Sequence, residues 1–305
     1  MREKIIQNFI ILLMPIGLFL VSDPRAAASQ SQSLSKDIRT QWEASAHAGS
    51  GDSPEEMKRM NTPECARCHT AQGFWEVVLE GKPSSAPYEN PTGLSCISGH
   101  FPGKDESKIG ILRVTDTRNA CTGCHDLIVK STAEELSWCP QGSILNGKGG
   151  SEFEGKDYPS GAHIRLKKNC VSCHMAEAPE GFDNIVGGHT FRVITKGSTP
   201  RALNTYACSQ CHDAIILDWV EMSQAQIKRL LEELASILPK RTFQSEGVKK
   251  EEAKFPKDPS LNAVESQASF NYWMIVKDGT FGVHNPVYIK KLLEDSIEAL
   301  KNLKN

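Results

Sequence analysis

The sequence predicts a mainly α, loop-rich chain with little sheet and a C-terminal set of longer helices. Three observations carry this. No stretch sustains the period-two alternation that marks strands. Short helix starts recur around closely spaced cysteine pairs, as at Thr62-Pro63-Glu64 before Cys65. Ile216, Val220, Ile227, Leu230, Leu231, Leu234, Ile237 and Leu238 recur at helical spacing across 213–238, and Pro239 ends the run. The chain has 305 residues, 39% apolar and 24% charged, which is neither a disordered polymer nor a multi-span membrane protein. Lys+Arg 35 against Asp+Glu 37 leaves a net charge of -2, so no nucleic-acid footprint is expected.

Taken in order, residues 1–28 read as a secretory signal. Arg2 and Lys4 give a positive start, Phe9 to Val21 an apolar run, and Ala26-Ala27-Ala28 a small-residue cleavage site before Ser29. The run is shorter than the roughly 18–20 residues a membrane span needs, and Pro15 interrupts it. The expected workplace is therefore periplasmic or extracellular, where disulfides are permitted. Residues 29–212 hold the cysteine pairs among short helices and Gly-rich loops at 147–150 and 186–188, and residues 213–305 form a C-terminal helical region. Within the latter, 240–260 with Lys249-Lys250-Glu251-Glu252 reads as a solvated linker, and helices are expected near 261–277 and 287–303.

Four times the chain spells Cys-x-x-Cys-His: Cys65/Cys68/His69, Cys121/Cys124/His125, Cys170/Cys173/His174 and Cys208/Cys211/His212. This is the attachment sequence of c-type haem. Two thiols one helical turn apart reach the two vinyl groups on one porphyrin edge, and the adjacent imidazole projects onto the iron. Chance would supply on the order of 0.01 such motifs in a chain of this composition. Disulfide scaffolds and zinc sites do not need a His after every second Cys. With so many cofactors per residue, porphyrin faces must supply much of the buried apolar surface, and the haem-free chain should fold poorly.

Five histidines remain: His47, His100, His163, His189 and His284. An electron-transfer haem takes a sixth ligand, commonly His or Met. His47 falls in Trp42-Glu-Ala-Ser-Ala-His47, which reads as a short helix. His163 precedes Cys170 by one or two turns. His189 follows Gly187-Gly188, where missing side chains permit close approach to a flat cofactor. His284 precedes Asn285-Pro286, a helix cap and first-turn proline. Met57, Met60, Met222 and Met274 are competing ligands; Met175 adjoins His174 and is poorly placed for the opposite face. Cys96-Ile-Ser-Gly99-His100 is a fifth motif with its second Cys replaced by Gly. Either it holds a fifth haem through one thioether and His100, or the haem is lost and Cys96 is free or paired with Cys139. With five haems and four distal histidines, one iron would keep an open position; with four haems, all would be closed.

The run Gly161-Ala-His163, Cys170-Val-Ser-Cys173-His174-Met175, Gly188-His189, Cys208-Ser-Gln-Cys211-His212, a long helix and Gly282-Val-His284 resembles the superfamily of ammonia-forming cytochrome c nitrite reductases and hydroxylamine-oxidoreductase-like proteins. Counting Cys96–His100, the five motifs also follow its five-haem order. The resemblance implies that His163 serves the His212 haem, His284 the His174 haem, His189 the His100 haem and His47 the His125 haem, leaving the His69 haem open. Three departures stand against catalysis. The reductases carry Lys as the first proximal ligand, where this chain has His69. They place a catalytic Tyr after the third motif, where Asp126-Leu127-Ile128 stands, and a catalytic His upstream of the fourth motif's distal ligand, where residues 152–158 hold none.

The leading expectation is an extracytoplasmic, mostly bis-His multihaem cytochrome without catalytic residues, served by redox partner proteins or a quinol-linked membrane donor. A reductase of nitrite or hydroxylamine acting at one open haem is the second. A homo-oligomer or filament subunit is the third.

Overall fold

The computed structural model describes residues 37–48, 53–102, 109–112, 117–130, 136–166, 170–195, 202–213, 217–243 and 260–304. The secretory-signal reading of residues 1–28, Ile216 of the apolar stripe, and residues 244–259 of the expected linker lie outside them.

Up to residue 213 the chain is a string of short elements: α1 (37–43), α2 (Pro54–Met60), α3 (Pro63–His69), α4 (Ala71–Gly73), α5 (Cys96–Gly99), α6 (Thr117–His125), α7 (Gln141–Leu145), α8 (Cys170–His174) and α9 (Thr205–Cys208). Their starts are chemical. Ser53 Oγ accepts from Glu56 N at 3.0 Å with Pro54 in the first turn, and Thr62 Oγ1 accepts from Cys65 N at 3.4 Å ahead of Pro63. After α3 the chain turns at Thr70, whose Oγ1 accepts from Gly73 N, and continues through α4 into a π-helix at Phe74–Leu79. Gly73 is required there, because a Cβ would lie 2.3 Å from Ala66 O.

Sheet is confined, among the described residues, to two antiparallel hairpins and one isolated bridge. β1 (His100–Pro102) pairs with β2 (Ile109–Leu112), and β3 (Leu127–Lys130) with β4 (Leu136–Cys139). The structure is mainly α and loop-rich, as the sequence predicts.

The C-terminal region differs in kind. α10 (Leu217–Ile237), α11 (Ala263–Asp278) and α12 (Pro286–Lys304) pack on one another. Ile227, Leu231 and Leu234 from α10, and Leu238 just past its end, meet Trp273, Met274 and Ile275 of α11 and Ile289, Leu293, Ile297 and Leu300 of α12. The apolar stripe read from 213–238 is thus core packing. Met274, one of the competing haem ligands, is fully buried in this core, and Met222 is 70% exposed. The expected helices near 261–277 and 287–303 are α11 and α12, and a 3-10 turn at Lys240–Phe243 follows α10.

Both later helices have explicit caps. Asn262 and Glu265 form a reciprocal capping box at the start of α11, and Gly279 at φ 72 ends it. Asn285 Oδ1 accepts from Tyr288 N at 3.2 Å and from Gly161 N at 2.9 Å. One side chain therefore starts α12 and pins the loop that carries His163. Asn271 does similar work from inside α11, accepting from Ser151 N at 2.7 Å and donating to Ser151 O at 2.9 Å.

Candidate haem sites

The four complete motifs sit on α3, α6, α8 and the α9 turn, and the incomplete one on α5. In the first three, a helix of nine residues or fewer carries both cysteines and the histidine. In the fourth, α9 stops at Cys208 and a turn closed by Cys211 N to Cys208 O at 3.1 Å brings the second thiol round. The requirement is one turn of backbone, helical or not.

Complete motifs that follow one another in sequence touch in space. α3 contacts α6, α6 contacts α8, and α8 contacts α9. Arg67, inside the first motif, donates to Gly123 O, inside the second, at 2.8 Å; Gln210 of the fourth donates to Ser172 O of the third at 2.7 Å. A hydrogen bond between the Cys68 and Cys124 thiols lowers the Cys68 pKa and raises that of Cys124, and the neighbouring Cys170 thiol raises Cys121. Burial, with Cys208, Cys170 and Cys211 nearby, pushes Cys173 up to about 11. All ten cysteines are free thiols, so Cys96 and Cys139 are not bonded to each other and the disulfide alternative for them is not realised.

Four couples of imidazoles face each other. Ring centres are 6.1 Å apart for His47 and His125, 6.2 Å for His100 and His189, 6.3 Å for His163 and His212, and 6.3 Å for His174 and His284. Each couple joins a motif histidine to one outside a complete motif or, at His100, to the incomplete one. They are the couples implied by the resemblance. Two imidazoles bound on opposite faces of one metal, each nitrogen about 2 Å away, place their ring centres roughly 6 Å apart. The spacing is too long for a hydrogen bond between rings and fits a metal between them.

The outer nitrogens support the same fit. His163 Nδ1 lies 2.8 Å from Val283 O, His174 Nδ1 2.8 Å from Phe191 O, and His284 Nδ1 2.6 Å from Asp278 Oδ1. An acceptor at Nδ1 selects the tautomer that leaves Nε2 free to ligate. Beside His125 lies the Gln141 side-chain amide. Burial lowers His47 to about 4, with His125 and His174 adding to the shift. It also lowers His125, His174 and His189; the Gln141 amide opposes the shift at His125 and the Phe191 carbonyl opposes it at His174. Neutral imidazoles are the ligating form.

His69 is the exception. Among the described residues it has no facing imidazole. Burial lowers its pKa, with Glu56 opposing and Arg59 adding to the shift. Those two side chains pair at 3.3 Å on α2, the helix that packs on α3 and also carries Met57 and Met60.

Distal histidines arrive from far along the chain. His47 lies in a turn after α1, not in a helix, and reaches its place through a strap. Gln41 Nε2 donates to Asp183 O at 2.7 Å, Gln41 Oε1 accepts from His189 N at 2.9 Å, and Arg192 donates to Ala44 O. Gly187 and Gly188 are required by close packing: a Cβ would lie 2.3 Å from Ala176 O and 2.3 Å from Gln41 Oε1 respectively. Phe191, at φ 55, stands at a junction. Its ring is 4.9 Å from His47 and 6.0 Å from His189, and its carbonyl is the one that holds His174. Sequence reading missed Gln41, Gln141, Phe191 and Asp278. Only Asp278-Gly279 carried a local signal, and that signal was a helix end.

Among solved structures, the chain is similar to the crystal structure of the outer cell wall cytochrome OcwA, with a TM-score of 0.56 and 21% sequence identity over 85% of this chain and 49% of that one. The chain thus spans about half the length of that cytochrome. No protein-family model and no curated protein matches it. Among the described residues no helix is long and apolar enough to cross a membrane.

Proposed function

We propose that this chain is an extracytoplasmic multihaem c-type cytochrome that carries electrons by haem-to-haem transfer through mostly bis-His haems. The observation that carries the reading is the set of four imidazole couples at 6.1 to 6.3 Å, each built on an attachment motif. Cys65/Cys68, Cys121/Cys124, Cys170/Cys173 and Cys208/Cys211 would anchor four haems, with His69, His125, His174 and His212 as proximal ligands. The facing of His100 and His189 favours a fifth, held by Cys96 alone. Haem iron supplies a one-electron couple. The chain orients His163, His174 and His284 through their Nδ1 partners and sets the four complete motifs side by side in sequence order.

A second reading rests on His69. Without a facing imidazole, its haem would offer a position for nitrite or hydroxylamine, and Glu56 and Arg59 would be the nearby charged groups. Their pairing in solvent, at 68% and 47% exposure, is a weak arrangement for charge stabilisation, which favours electron carriage.

Intact mass of the secreted protein counts the haems; five are expected. Low-temperature electron paramagnetic resonance should then show four low-spin signals and a separate fifth. Turnover of nitrite or hydroxylamine with reduced viologen would move the assignment to the reductase. A colourless secreted protein would remove both readings.

A further inference from the structure

Three distal or proximal imidazoles have a defined Nδ1 partner, and one partner differs in charge. His163 and His174 each meet a neutral carbonyl, from Val283 and Phe191. His284 meets the carboxylate of Asp278 at 2.6 Å. The Asp278 side chain is fully buried, and that of His284 is 16% exposed.

The carboxylate is held from several sides. It ends α11, immediately before Gly279 in the left-handed conformation. Its second oxygen accepts from Thr280 N at 3.3 Å and from Thr280 Oγ1, and Thr280 Oγ1 in turn accepts from His284 N at 3.4 Å. Asp278, Thr280 and His284 thus form one closed turn. Burying a carboxylate costs several kcal/mol unless an opposite charge or strong donors compensate it. A backbone carbonyl would fix the His284 tautomer equally well, as Val283 does for His163. The negative charge therefore contributes something that orientation alone does not require.

Resting on the haem reading above, we infer that Asp278 is a positioning and charge-setting residue that holds the His174–His284 site at a lower potential than a carbonyl partner would. The reasoning is electrostatic. A haem held by His174 and His284 would gain one electron that a neighbouring site loses. No proton need be taken up, because the His284 Nδ1 proton stays on the hydrogen bond to Asp278 in both states. The site loses one positive charge in that step. A buried anion on the ligand stabilises the more positive, oxidised state, so the electron is accepted less readily. The third of four motifs in spatial order then becomes an uphill step inside the row, and electrons reside on its flanks.

The test is a spectroelectrochemical titration of the haem-loaded full chain. Asp278→Asn keeps an acceptor and removes the charge. One haem's share of the titration should move upward by about tenfold in the one-electron equilibrium, ~59 mV, with the others unmoved. The low-spin resonance of the same haem should change its spread, and Asp278→Glu should restore the wild-type curve. A fully loaded Asp278→Asn with an unchanged titration overturns the inference and leaves the haem reading intact. If Asp278→Asn fails to load, Thr280→Val carries the test. Losing the hydroxyl concentrates charge on the oxygen that faces His284 and should move the same haem downward; an unmoved curve there also overturns the inference. A wild-type chain without haem would instead sink the function proposed above, and this inference with it.

Discussion

In residues 217–304, α10, α11 and α12 bury Leu234, Met274, Ile275, Ile289, Leu293 and Leu300 against one another at 2% exposure or less. Among the described residues of 37–213, the buried apolar side chains are few, among them Ala66, Phe74 and Val186. The first region closes its core with its own side chains and Ile144 of α7. The second has helices of nine residues or fewer, too short to be stable alone. It places cysteines and histidines where a packed protein places leucines. The difference teaches that order in the motif region is to come from bound cofactor, whereas the helical region is ordered beforehand and serves as the platform.

The largest test of this contrast is to make the chain without haem attachment. Limited proteolysis should then cleave throughout 37–213 and leave 217–243 and 260–304 resistant. Equal resistance of both regions would end the comparison. Next in size is Leu234→Ala in the helical core. The residue is fully buried, and its truncation should cost about 2–5 kcal/mol in thermal or denaturant unfolding. The loaded motif region should keep its Soret spectrum well below the unfolding temperature. A smaller effect is expected from Gly188→Ala. The new Cβ would lie 2.3 Å from Gln41 Oε1 at a residue of φ 49, and the strain should cost about 1–2 kcal/mol. Hydrogen exchange should rise across 37–48 and stay unchanged in 217–304. Uniform loss of protection would mean that the two regions unfold as one.

How much was legible in the sequence follows the same divide. The motif helices could be read because covalent attachment fixes the spacing of Cys65, Cys68 and His69 and their repeats. α10 to α12 could be read because a 3.6-residue period and the Asn262 and Asn285 caps are local signals. The π-helix at Phe74–Leu79 could not, since it depends on Gly73 packing against Ala66. Neither could the turn at His47, which is set by Gln41 reaching Asp183 over 142 positions. The glycine pair at 187–188 signals in sequence that side chains must be missing there, but not that Ala176 and Gln41 are the neighbours that require it. Phe191 gives no warning in sequence, because a left-handed phenylalanine is disfavoured and persists only where surrounding contacts impose it.

Val283 and His284 stand next to each other just ahead of α12, and they complete two different sites: one carbonyl orients His163, and one imidazole faces His174. Both therefore stay unfinished until translation has passed residue 284 and the closing helix has docked. A chain interrupted before that point would lack the imidazole opposite His174 and would keep His163 without the carbonyl that aims it at His212.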